Sequence, residues 1–170
     1  MRTVRLRLLV PGMSAADAYA TLSDFDRYPV LSEAVQSVTV TEVAANVTVS
    51  TWEVTFRAGL LRWTEEDTFD PAGLTISFRQ LEGDIAVFEG SWECVDSAAG
   101  TGAASGTASG TGCEIVFSVR LDMGIPSLAD ALEPIAVRTL IDNTVSIVQG
   151  LVGTAELVAT DVAVPAGSAS

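Results

Sequence analysis

Between Val47 and Leu121 the chain alternates apolar and polar residues, and the apolar set is rich in aromatics. One set of alternate positions carries Trp52, Val54 and Phe56, then Leu61, Trp63 and Phe69. Ile76 and Phe78 follow, then Phe88 and Trp92, then Ile115, Phe117 and Val119. All three tryptophans of the protein lie on this face, and two carboxylates, Glu65 and Asp67, share its parity. A period of two over so many segments requires strands with one buried face. That face is either plain core or the wall of a pocket.

The links between these segments are short and carry turn residues: Asn46, Ala58-Gly59, Pro71-Ala72-Gly73 and Gly83-Asp84. Short links join antiparallel neighbours, so the spacing predicts a meander of six strands. Their expected spans are Val35–Val43, Val47–Arg57, Leu60–Asp70, Leu74–Leu81, Ile85–Val95 and Cys113–Asp122. Residues 96–112 are almost only Ser, Ala, Gly and Thr and read as a flexible hairpin loop. Ahead of the meander, Thr3–Val10 alternates as a seventh strand, and Ser14 caps a helix to about Asp24. A second short helical turn is expected at Val30–Ala34. After it, the main helix is expected from near Glu133, with Pro134 in its first turn, to Leu151. Ala136, Leu140, Asn143, Ile147 and Leu151 form one stripe of that helix. The single domain is expected over residues 1–155, and residues 156–170 as a disordered tail.

The chain has 170 residues and a formal net charge of −13. That charge repels nucleic acid and anionic membrane surfaces. There is no run of about 18 uncharged apolar residues to span a bilayer. Residues 1–10 lack the apolar core and cleavage site of a signal peptide, so a cytoplasmic location is expected. Histidine is absent, which removes the usual general base and the commonest metal ligand. No metal or redox cofactor is implied. Cys94 and Cys113 flank one loop; free thiols are expected, though paired strands would also permit a bridge. Either a monomer or a homodimer is compatible with the sequence.

Three stretches carry a resemblance. Asp24-Phe25-Asp26-Arg27-Tyr28-Pro29 ends the first helix, Gly59-Leu60-Leu61-Arg62-Trp63-Thr64-Glu65-Glu66 forms a Gly-then-Trp strand, and Phe88-Glu89-Gly90-Ser91-Trp92 forms a later Gly-x-Trp strand. In these the chain resembles the START-like (SRPBCC) superfamily, which includes polyketide cyclase/aromatase and coenzyme Q-binding proteins. The resemblance implies an α+β helix-grip fold. A seven-stranded curved antiparallel sheet would wrap around a long C-terminal helix, with two short helices after the first strand. It further implies an apolar cavity under the long helix. The ligand would be a bulky hydrophobic polyketide, aromatic or quinone-like molecule, presented in cyclases by an acyl carrier protein. The function expected is directed aldol cyclisation and dehydration. The alternative is a non-catalytic carrier or sequestering protein.

Glu65 is the sharpest catalytic candidate, because a carboxyl desolvated among aromatics can hold or take a proton near neutral pH. Tyr28 is a second, placed over the cavity mouth unless it simply packs. Arg62 is the candidate cation, although its parity opposes that of Trp63 and favours an ion pair with Glu66 or Glu53. Trp52, Trp63, Phe78, Phe88, Trp92 and Phe117 are expected to line the ligand or fill core. Asp67, nearer the strand end, and Asn143, which meets a ligand or water in the cavity or else lies near an edge, are the polar candidates for ligand contact.

Overall fold

The computed structural model describes residues 1–97 and 112–164. Strand β1 (Arg2–Pro11) is followed by helix α1 (Ala15–Ser23), a 3₁₀ turn (Phe25–Arg27) and helix α2 (Tyr28–Leu31). Ser14 caps α1 by accepting from the Asp17 N–H. The meander then runs β2 (Val35–Ala44), β3 (Val47–Phe56), β4 (Gly59–Asp70), β5 (Thr75–Gly83), β6 (Val87–Asp96) and β7 (Gly112–Asp122). Helix α3 (Ala129–Val152) and strand β8 (Glu156–Ala163) complete the chain. Every pairing is antiparallel, in the order β2-β3-β4-β5-β6-β7-β1-β8. This is the expected helix-grip arrangement: the sheet curves around α3, which packs on β1, α1 and α2.

Two expectations are corrected. The sheet has eight strands rather than seven, because Glu156–Ala163 pairs with β1 instead of belonging to a disordered tail. Most of β8 is exposed, so the backbone ladder holds it and apolar periodicity does not announce it. Helix α3 also starts at Ala129, with Pro134 inside it rather than in its first turn. The carbonyl that proline leaves without a donor belongs to exposed Asp130, where water can satisfy it. Buried Glu133 takes a bond from Arg2 Nε at 2.9 Å, which fixes the start of the helix on β1. Of the expected 96–112 loop, Asp96 ends β6 and Gly112 begins β7; residues 98–111 lie outside the described residues. Cys94 and Cys113 are both buried and free.

With its leading turn, α3 (Pro126–Val152) is long and apolar enough to cross a bilayer by length and composition. In this fold its Ala136, Val137, Thr144, Val148 and Leu151 are buried against the sheet and the short helices. Gly150 makes the close seat possible: a Cβ there would lie 2.2 Å from the Leu31 carbonyl oxygen of α2.

Candidate functional site

The β3–β4 ladder builds the centre of the concave face. Its register sets Trp52 opposite Trp63, Ser50 opposite Glu65 and Thr48 opposite Asp67. A bulge threatens this arrangement, since one extra residue in β4 would turn Glu65 outward. A bulge does occur beside Glu65, but on the partner strand. One step along β4, from Thr64 to Glu65, spans two steps along β5, from Glu82 to Gln80. The extra residue is Leu81, which is exposed, and the alternation of β4 survives. Trp63, Glu65 and Asp67 therefore all face inward and are buried.

These residues line a cavity between the sheet and α3. Its volume is about 120 Å³, and the whole concavity, its opening to solvent included, is about 940 Å³. Phe25 and Tyr28 close one end, and Phe78, Phe88, Trp92 and Phe117 form the floor. Thr139, Leu140, Asn143 and Ile147 of α3 form the roof. Trp52 and Trp63 stack with their rings 6.3 Å apart, Trp63 meets Phe88 edge-on at 5.3 Å, and Trp92 tilts against Phe117 at 4.4 Å. The expected aromatic set thus lines one space.

The polar groups form a short chain of hydrogen bonds. Trp52 Nε1 donates to Ser50 Oγ at 2.8 Å, and Ser50 Oγ donates to Asp67 Oδ2 at 2.6 Å. Thr48 Oγ1 donates to the same oxygen at 3.0 Å, and Trp63 Nε1 donates to Glu65 Oε2 at 2.6 Å. The other Asp67 oxygen, Oδ1, is buried and accepts from no N–H or hydroxyl group among the described residues; the proton shared with Glu65 is the donor beside this carboxyl. Burial pushes Glu65 well above the usual carboxyl range, and the neighbouring Asp67 charge and the bond shared with it add to this. Burial also raises Asp67, but bonds from Glu65, Ser50 and Thr48 oppose it. The pair thus places its proton on Glu65 and its charge on Asp67. A protonated acid beside an ionised base is the arrangement that moves protons on a bound molecule.

The other candidates separate. Tyr28 reaches the cavity, but its hydroxyl donates to the Leu22 carbonyl at 2.6 Å. Burial, then the charges of Glu65 and Asp67, hold its proton in place well above its ordinary range. Its visible role is to pack edge-on against Phe25 and Trp52. The catalytic candidacy of Arg62 is corrected: it lies on the outer face, as its parity implied, largely exposed and 3.8 Å from Glu53. Its odd-even opposition to Trp63 decides this. Asn143 faces the cavity and ties α3 to β3, Nδ2 donating to the Thr55 carbonyl at 2.7 Å. Sequence reasoning missed Ser50 and Thr48. The available signal was a pair of polar residues sharing the parity of Trp52, which register alone places beside the two acids.

A family profile described as polyketide cyclase/dehydrase and lipid transport matches residues 12–144. No curated protein matches the chain. Among solved structures, a protein of Thermus thermophilus is similar with a TM-score of 0.75 at 22% identity, over 89% of this chain and 94% of that one. A Streptomyces aromatase/cyclase gives 0.73 at 17% identity, over 90% and 93%. A START superfamily protein of Mycobacterium smegmatis gives 0.66 at 16% identity, over 90% and 98%. At these identities the likeness is one of fold.

Proposed function

The chain belongs to the polyketide cyclase/dehydrase and lipid transport family, and on that premise we propose that it binds a polyketide or aromatic molecule in its cavity and directs aldol cyclisation and dehydration there. The observation that carries this reading is the Glu65–Asp67 pair inside an aromatic wall. In the dehydration step, the Asp67 carboxylate takes the proton from the carbon next to a carbonyl. A carbon–carbon double bond forms, and the β-hydroxyl leaves as water with the proton from Glu65. Passing the new proton from Asp67 to Glu65 restores the pair. The rings hold a flexible chain in the conformation that brings the reacting carbons together.

Size divides the ligand. A space of about 120 Å³ is comparable to cavities of about 150 Å³ that take benzene. One ring is seated inside, and the remainder lies in the wider mouth. Beside that mouth Arg57 and Arg138 line a shallow hollow with Ile135, Thr139 and Asp142. There they would meet the phosphate of a carrier-bound pantetheine arm.

The test is to express wild type and Glu65→Gln with a minimal polyketide synthase and to compare products and ligand affinity. Loss of cyclised product by about 10²-fold or more, with affinity kept, supports the assignment. An unchanged product profile with affinity kept leaves Glu65 no catalytic part and favours binding without chemistry.

A further inference from the structure

We propose that Thr144 of α3 is a specificity-determining residue, whose hydroxyl donates to a carbonyl oxygen at the inner end of the bound molecule. This rests on reading the cavity as a ligand site and goes further in naming the group that its helix side receives. Thr144 lines the cavity and is only 4% exposed. A hydroxyl inside a helix can turn back to the carbonyl four residues earlier. Helix α1 does this twice: Thr21 donates to the Asp17 carbonyl at 3.0 Å, and Ser23 to the Tyr19 carbonyl at 2.7 Å. In α3 the side chains that donate to described residues are Asn143 and Gln149, not Thr144. Nor is the Thr144 oxygen sealed by packing, so it opens on the cavity.

Burial separates Thr144 from the other polar groups of the wall. Thr55, Trp92, Thr139 and Asn143 also line the cavity, but each is half-buried and within reach of water. Tyr28, Trp52 and Trp63 are as deep, and each donates within the protein. A buried hydroxyl without a partner costs free energy, and valine would fill the same place without one. Folding alone therefore gives no reason for a threonine here. A purely hydrocarbon ligand end would displace water from this hydroxyl and leave it unpaired, whereas a carbonyl oxygen accepts its proton. The same bond strengthens as the carbon beside the carbonyl gives up a proton, because charge then gathers on the oxygen.

Calorimetric titration of the full-length protein with two probes of one shape tests this. They are 2-acetylnaphthalene and 2-isopropenylnaphthalene, in which a C=CH₂ group replaces the C=O. Wild type should bind the acetyl probe on the order of tenfold tighter, the worth of one buried hydrogen bond. Thr144→Val should bring the two affinities together, and Thr144→Ser, which keeps the hydroxyl, should keep the preference. The urea midpoint of Thr144→Val should equal or exceed that of wild type, because no bond within the protein is lost. Equal affinities in wild type, or a preference that survives in Thr144→Val, would overturn the proposal and leave the ligand-site reading standing. A lowered midpoint or a failure of Thr144→Val to fold would overturn it too, by giving the hydroxyl a structural part. Binding of neither probe overturns the ligand-site reading and the proposal with it.

Discussion

Glu65 sits in a place that favours its neutral form, so the folded protein holds a proton there that the unfolded chain releases. The ordinary value for this carboxyl is 4.5, and burial raises it in the fold. Its contribution to stability is therefore complete below that ordinary value. It is lost as pH rises toward the raised native value, because there the native state binds more protons than the unfolded one. Glu65→Gln removes this titration. Urea unfolding from about pH 5 to about pH 8 should show a smaller loss of stability in the variant than in wild type. Equal slopes would mean that Glu65 is ionised in the native state. The inward placement of Glu65 and the outward placement of Arg62 were both legible from strand parity. The bond between Ser50 and Asp67 was not, because pairing register depends on a turn whose geometry Arg57 sets with a left-handed backbone (φ 53°).

Helix α3 shows propensity and packing in opposition. Replacing Gly150 by Ala should help an isolated helix by about 1 kcal/mol. Here the new Cβ would lie 2.2 Å from the Leu31 carbonyl oxygen, a backbone atom that cannot rotate away. Lifting α3 from α2 costs about 1–3 kcal/mol, so Gly150→Ala should be destabilising overall, as measured by the urea midpoint. A stabilised variant would show that α2 yields. The stripe of this helix was legible because its apolar residues recur at the helical period. Its first turn was not, because Pro134 is an equally good sign of a start and of an interior position above an exposed carbonyl. Strand β8 was missed for a related reason: at an edge the backbone ladder suffices, and the side chains need no pattern.

At the scale of the whole molecule, β8 links the end of α3 to the sheet. The helix ends at Gly153 (φ 88°), Gln149 Nε2 holds the Ala155 carbonyl at 3.0 Å, and β8 then runs beside β1. A chain ending at Ala155 should lose about 1–3 kcal/mol of stability, from the ladder and the half-buried Leu157. An unchanged urea midpoint would mean that β8 contributes nothing to the fold.

The two ends of α3 are thus held on one strand: Glu133 by Arg2 of β1, and the C-terminal end through β8. A beam clamped at both ends does not swing. Between the clamps, the bond from Asn143 to Thr55 crosses from helix to sheet beside the mouth, where Phe56, Leu61 and Leu140 are only partly buried. That bond is worth about 1 kcal/mol. The cheapest way in is therefore to turn a few side chains, a motion of picoseconds to nanoseconds for exposed groups. Smaller side chains at those three positions would widen the opening that the concavity already has.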